Sequence, residues 1–187
     1  MTNIPEWSDR TVRLYGEEAA RRFAAKHVAV VGIGGVGSHA AECLARTGIG
    51  ELTIVDHDTV DSSDINRQVW ALTSSVGRLK TDVAGERLRD ITPSLRLHAH
   101  AERLTAENVG ALLSLPPDAV IDAIDSTREK AALLAYCVRE SIPVITCLGT
   151  ANRTDPKRVR IASLDDVTGC PLARALKKHL RAMCGAT

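Results

Sequence analysis

At 187 residues the chain is one domain, or one domain with a tail, and is long enough to bury a real core. Its composition, 44% apolar and 25% charged, is that of an ordinary globular protein; 3% aromatics speak against a base-stacking platform, and no apolar run approaches the ~20 residues of a membrane span. The net charge of +1 implies no partner by itself, but residues 151–187 carry eight Lys/Arg against Asp155, Asp165 and Asp166, so a tail of +5 follows 150 residues of −4. A basic tail could meet RNA phosphates, or simply form a solvated helix face.

Residues 1–26 read as an N-terminal helical segment, with a helix over 17–25 that puts Ala19, Ala20 and Phe23 on one side. Ahead of it, Ser8 to Gly16 holds Arg10 and Arg13. These arginines could reach over a nucleotide site, their own or a partner subunit's, or serve only as surface charge.

A nucleotide-binding domain is expected over 27–150. Val28 to Val31 is a short β-branched run fit for a buried strand. Gly32-Ile33-Gly34-Gly35-Val36-Gly37 follows, then a helical pattern at Ala40, Ala41, Leu44 and Ala45. Gly48 and Gly50 end that helix, and a second apolar run, Leu52 to Val55, delivers Asp56. Strand, glycine loop, helix, strand and acid in about thirty residues form the βαβ nucleotide fingerprint. Gly32 permits the turn, Gly34 and Gly35 let backbone approach a phosphate, and Gly37 lets the helix pack close. Asp56 can accept from both ribose hydroxyls. The fingerprint leaves the nucleotide itself open.

After Asp58, residues 63–68 (SDINRQ) form a polar loop, and a helix is expected from about Ser75 to Ile91 with Lys80 in its first turns, where cations are usually disfavoured. Leu95 to Ala101 alternates as a strand with one wet face, its His98 and His100 read as solvated edge residues rather than a metal pair. Thr105 is expected to cap a short helix that ends at Pro116-Pro117. Ala119 to Asp125 reads as the next strand, followed by a capping box, Ser126 to Glu129, and a helix over 130–140. Asp122, inside that strand, needs a partner. Of the two acids, Asp125 at the rim leaves more room for the waters of Mg²⁺. Pro143 to Leu148 is expected as another buried strand. Over 151–187 a turn, a strand near Val159 to Leu164 and a basic amphipathic helix from Pro171 are expected.

Alternating strands and helices imply an α/β fold of Rossmann-like, doubly wound type: a mainly parallel sheet with helices on both faces. The five cysteines (Cys43, Cys137, Cys147, Cys170, Cys184) lack CxxC spacing, which argues against structural zinc. An odd number with no signal peptide fits a reducing, cytoplasmic setting. One crevice thus collects a phosphate cradle, a ribose acid, two cations (Arg67, Lys80) and a metal acid. A nicotinamide dehydrogenase explains the fingerprint and Asp56 but gives no work to the cations, whereas a triphosphate does.

The motifs GIGGVGS, VDHD at Asp56 and Asp58, DINRQ at Asp64–Gln68, GRLK at Gly77–Lys80 and DAIDS at Asp122–Ser126 resemble the ThiF-type adenylating enzymes related to ubiquitin-activating enzymes. Within that family, SDRTVRLYGEE, ARTGIGELTIVD, IPVIT and ANRTDP…PLA are most similar to the tRNA threonylcarbamoyladenosine dehydratase branch. The resemblance implies ATP with Mg²⁺, adenylation of the threonyl carboxylate on modified tRNA, and closure into a cyclic form. It also implies roles: Gly35 and the other loop glycines at the phosphates, Asp56 and Asp58 at the ribose, and Asn66, Arg67 and Lys80 at the phosphate side. Asp125 would hold the metal, with Ser126 beside it, and Arg10 would act across a homodimer interface. A sulfur-transfer or redox protein is a further expected partner, and activation of a ubiquitin-like sulfur-carrier tail is the alternative reaction. Cys170 departs from the branch, which has an acid before Pro171. The C-terminal extension is expected to stop some tens of residues short of the family's length.

Overall fold

The computed structural model of the chain describes residues 5–184. Helices α1 (Asp9–Tyr15) and α2 (Glu17–Ala24) lead into β1 (His27–Val31), α3 (Gly37–Thr47) and β2 (Glu51–Val55). Then come α4 (Lys80–Ile91), β3 (Arg96–His100), α5 (Val109–Leu112) and β4 (Ala119–Asp122). The last elements are α6 (Thr127–Arg139), β5 (Val144–Thr146) and α7 (Pro171–Cys184). The strands form one parallel sheet in the order β3-β2-β1-β4-β5.

The sequence alternation within β1 explains the layering. Successive side chains of a strand point to opposite faces. Val28 and Val30 therefore join Leu52 and Ile54 against α3 and α4, through Ala41, Ala45, Val83, Ala84 and Leu88. Ala29 and Val31 join Val120 on the other face, against Val109 and Leu112 of α5 and Leu133 and Cys137 of α6. Each fully buried Leu or Val contributes about 1.5–3 kcal/mol over an exposed one. With helices on both faces of a parallel sheet, the doubly wound expectation is borne out. Phe23 of α2 packs against the first core, and Leu176 of α7 packs on Ala131 and Leu134 of α6, so both ends are fastened to the central body.

Strand order runs outward from β1 to β3 and then returns to β4 on β1's other side. The crevice between the carboxyl ends of β1 and β4 is the switch point of such a sheet. Gly32, at φ +80°, turns the chain there. A Cβ on it would lie 2.8 Å from the carbonyl oxygen of Ala123, and one on Gly37 would lie 1.8 Å from that of Gly32. Any side chain at either position would force β1, β4 and α3 apart.

Several elements differ from the sequence expectation. The helix expected from Ser75 starts only at Lys80. Ser75 belongs to a separate 3-10 turn whose hydroxyl takes the N–H of Leu72 at 2.8 Å, and Gly77 at φ +85° breaks the path between them. The Thr105 hydroxyl accepts the N–H groups of Glu107 and Asn108 at 3.3 Å, closing a turn before α5, which is a single turn ending well before Pro116. Strand β4 stops at Asp122, not Asp125, because its partner Val31 is the last residue of β1 before Gly32 turns away. Ser126 precedes α6 but forms no capping box, since its hydroxyl is engaged with the Glu129 carboxylate rather than a backbone N–H. Strand β5 is a short edge strand with Ile145 61% exposed, so it is not buried. No strand forms near 159–164; 3-10 turns at Pro156–Arg158 and Leu164–Asp166 flank it, and Val159 and Ile161 are exposed with no neighbouring strand to pair with.

Candidate active site

The crevice is a cleft of ≈ 890 Å³ bounded by the loops that follow β1, β2, β3, β4 and β5. Of the residues singled out in the sequence, Gly32, Gly34, Gly35, Asp56, Asp58, Arg67, Lys80, Asp125 and Ser126 all line it. Gly37 lies beneath, in the first turn of α3. Asn66 is exposed beside the cleft, its Oδ1 accepting from Arg67 Nη1 at 3.0 Å. Arg10, on α1, is exposed and does not line the cleft of its own chain.

Asp56 is fixed by the backbone. Its Oδ2 accepts the N–H of Ile33 at 2.8 Å and its Oδ1 that of Asp58 at 2.9 Å. The carboxylate thereby ties the glycine loop to the end of β2 and is held rigid at the wall of the cleft. Gly35 faces Arg67: a Cβ there would lie 3.4 Å from Arg67 Cγ and 3.6 Å from its Nε. The bare loop backbone and a guanidinium thus share one wall, and the N-terminus of α3 adds its partial positive charge.

Lys80, the first residue of α4, is buried. Its Nζ donates to Asp58 Oδ2 at 3.1 Å and lies 3.7 Å from Asp64 Oδ2. Burial opposes its charge, but Asp58, Asp56 and Asp64 outweigh burial and lift its pKa above the usual lysine range. The cation is therefore permanent, and it sits where the helix dipole alone would disfavour it.

Asp64 organises this wall and was named in the sequence only as part of a motif. Buried itself, it accepts from Gln68 Nε2 at 2.7 Å, from Arg67 Nη2 at 3.2 Å and from the N–H of Asp61 at 3.1 Å. Its spacing of three and four residues from Arg67 and Gln68 was the available signal. Trp70, also missed, donates from Nε1 to the carbonyl of Ile33 at 3.0 Å and pins the glycine loop from below. Arg103, after β3, had no local signal at all. It donates to His57 Nε2 at 2.7 Å and to Glu129 Oε1 at 3.1 Å, joining two sides of the cleft.

Asp122 has the partner its burial demanded. Lys130 Nζ donates to its Oδ2 at 2.8 Å, and both side chains are fully buried. Lys130 also donates to Thr146 Oγ1 at 3.2 Å and to the carbonyl of Cys147 at 3.0 Å, while Asp122 accepts the Thr146 hydroxyl at 2.6 Å and the N–H of Ile124 at 3.1 Å. The pair buttresses the loop that carries Asp125 and the loop that carries Leu148 and Gly149, both of which line the cleft.

Cys170 precedes α7, and its carbonyl accepts the N–H of Arg174 at 3.1 Å, so it stands at the N-cap. Burial works against its thiolate, but N–H groups of Ala173, Gly149 and Leu172 outweigh it and hold the thiol below its ordinary range.

The residues fit a nucleotide triphosphate. The glycine wall is open to a phosphate. Gln68, which lines the cleft, leaves its Oε1 buried without a partner among the described residues, an acceptor that a hydroxyl or a water, not a phosphate oxygen, could satisfy. For a divalent cation, Asp56, His57 and Asp58 bring ligand atoms within 4.8 Å of one another. That group already serves Ile33 and Lys80, however. Asp125 is exposed, and no described side chain hydrogen-bonds it, which suits an ion that keeps several waters.

The ThiF family model matches residues 8–186. The chain is 46% identical over 182 residues to the tRNA threonylcarbamoyladenosine dehydratase of Escherichia coli (strain K12), covering 96% of this chain and 68% of that protein. It is 42% identical to the Haemophilus influenzae enzyme of the same name, covering 90% of this chain and 65% of the relative. The crystal structure of the E. coli dehydratase in complex with ATP superposes with a TM-score of 0.94 at 44% identity, over 97% of this chain and 76% of that one. The chain thus spans about two thirds of the length of these relatives. On the match across nearly all of its residues, the chain belongs to the ThiF family.

Proposed function

We propose that this chain adenylates the threonyl carboxylate of threonylcarbamoyladenosine in tRNA at the expense of ATP, and so drives cyclisation of the modified base with net loss of water. The observation that carries the reading is the convergence on one switch-point crevice of an open glycine loop, a backbone-locked Asp56 and the cations Arg67 and Lys80. The chain is also 46% identical to an enzyme that bears the dehydratase name.

In the proposed mechanism Asp56, with Asp58, orients the ribose, and the loop N–H groups and α3 receive phosphate oxygens. A substrate carboxylate oxygen attacks the α-phosphorus, and the bond to pyrophosphate breaks. A nucleophile of the same substrate then attacks the activated carbonyl, and AMP leaves with the former carboxylate oxygen. Charge builds on the α-phosphate and the leaving pyrophosphate in the first step. Arg67, Lys80 and Asn66 are preorganised on that side, so they stabilise it without reorganisation. Mg²⁺ held at Asp125, with Ser126 beside it, would supply Lewis-acid neutralisation of the phosphates. Leu104, Ile124 and Leu148 form the apolar part of the cleft lining. Arg10 would complete the site from a second subunit of a homodimer, and a redox or sulfur-transfer protein remains part of the proposal. The reaction is proposed for a cytoplasmic setting, where a tRNA substrate and ATP would both be met.

Pyrophosphate release from ATP is the test, with and without tRNA that carries threonylcarbamoyladenosine. Release that depends on the modified tRNA is expected. Release that instead depends on the C-terminal glycine of a ubiquitin-like carrier would overturn the substrate assignment and keep the adenylation chemistry.

A further inference from the structure

Among the described residues, most lysines and arginines before residue 150 sit against a carboxylate. Arg46 and Arg87 meet Glu42, Arg96 meets Glu51, Arg78 meets Glu86, Arg103 meets Glu129 and Lys130 meets Asp122. From residue 153 onward the pattern stops. Arg153 and Lys177 turn to carbonyl oxygens, of Gly149 and Gly169 and of Asp165 and Val167. Lys157, Arg158, Arg160, Arg174, Lys178 and Arg181 are exposed, with no carboxylate partner among the described residues.

Three of these six form a line. Arg174, Lys178 and Arg181 fall within a sector of about 60° of a 3.6-residue helix and span roughly 10 Å of its axis. The opposite side of α7 buries Ala173 and Leu176 against the body. Arg174 lies in the first turn of α7, which holds no acid. Helix electrostatics would favour an acid there, so folding alone does not account for this cation. Leu172, which lies roughly 120–180° around α7 from these cations, lines the cleft, so α7 stands beside the reaction site with its inner side on the cleft and the stripe turned outward.

We propose that the outward stripe Arg174, Lys178 and Arg181 of α7 is a docking surface for the phosphodiester backbone of the RNA whose modified base enters the cleft. The proposal rests on the tRNA reading above. A length of roughly 10 Å matches about three phosphates of one strand. No apolar or aromatic anchor lies between the three cations on that face, and a protein partner's hot spot would need one. The stripe therefore fits a polyanion whose charge is regularly spaced.

The test compares the wild-type chain with R174E/K178E/R181E and with a control of equal charge change on other helices, R22E/R89E/R139E. Affinity for tRNA carrying threonylcarbamoyladenosine is measured across a salt series, beside ATP affinity and the steady-state constants of pyrophosphate release. The stripe variant should lower the log–log salt slope by about 2–3, since each phosphate contact contributes ~0.7–0.9. Its KM for tRNA should rise tenfold or more, with the loss confined to RNA binding and ATP affinity within twofold of wild type. The control should change tRNA affinity less than threefold. Unchanged tRNA affinity in the stripe variant overturns the proposal, as does an equal loss in the control. A wild-type chain that adenylates an acidic carrier tail but not tRNA, with the stripe variant weakened towards that tail, would assign the surface to a protein. Should the wild type bind ATP and release no pyrophosphate with either substrate, the functional reading fails, and not merely the surface.

Discussion

Lys80 and Asp125 are both given roles in the proposed reaction, but the structure holds them in opposite ways. Lys80 is buried beside Asp58 and Asp64, at 3.1 and 3.7 Å, so it neutralises acids of the fold as well as lining the cleft. Lys80→Met should therefore reduce pyrophosphate release by about 10²–10³-fold, the usual cost of one lost transition-state donor, and lower the unfolding midpoint as well. Asp125 is exposed and makes no described side-chain bond. Asp125→Ala should abolish Mg²⁺-dependent cleavage while leaving stability within about 0.5 kcal/mol of wild type. Parallel urea titrations and pyrophosphate assays separate the two cases, and normal turnover by Asp125→Ala would sink the metal assignment. The sequence could place Lys80 near a helix start. It could not show that Asp58 and Asp64, from earlier in the same β2–α4 connection, fold back onto it, because no local period carries that information.

At the scale of elements, the buried Asp122–Lys130 pair joins β4 to α6 and, through Thr146 and the Cys147 carbonyl, to β5. A buried pair contributes little net stability over an apolar replacement, but removing one partner strands a charge at a cost of about 3–5 kcal/mol. Lys130→Met is expected to show that loss in a urea titration. Asp122→Asn in the Lys130→Met background should recover part of it, and a double variant less stable than the single would overturn the ion-pair account. Because the pair buttresses the Asp125 loop, any single variant that folds should lose turnover more than ATP affinity. The same elements show what was legible. Apolar runs announced β1, β2 and β4, since each carries β-branched residues and β1 and β2 are almost wholly buried, with β4 half-buried. Strand ends were not legible: β4 was read on to Asp125 because Ala123 and Ile124 continue the apolar pattern, whereas the ladder ends where Gly32 turns its neighbour away. Val159 to Leu164 has strand composition, but pairing needs an adjacent edge, and composition cannot supply one. Asp122 announced its need for a partner, and only the packing of α6 on β4 identified Lys130.

Over the whole molecule, ion pairs and a buried histidine set how stability follows pH. Glu42, bonded by Arg87 and Arg46, Glu51, bonded by Arg96 and His98, and Asp118, bonded by the His27 N–H and Lys26, are all held below their ordinary values of 4.5, 4.5 and 3.8. Their folded forms release protons more readily than the unfolded chain does. The stability they contribute is thus present above those ordinary values and is lost as pH falls through the lower folded ones. Most of these pairs are partly exposed, so each contribution is modest. His27 acts earlier. Its ring Nε2 lies 2.8 Å from Thr53 Oγ1 at the buried foot of the sheet, and burial, with His98 nearby, lowers its pKa below 6.5 against the opposing pull of Glu51, Asp118 and the Pro116 carbonyl. The unfolded chain takes up this proton first, so acidification below about 6.5 should favour unfolding well before the carboxylates titrate. The urea midpoint of the wild type should accordingly fall between pH 7.5 and pH 5.5. His27→Gln, which keeps a polar group towards Thr53 but cannot titrate, should start from a lower midpoint and stay flat over that window. A wild-type midpoint unchanged from pH 7.5 to 5.5, or an equal fall in His27→Gln, would show that the foot of the sheet admits the charged imidazole and that the acid response belongs to the surface pairs alone.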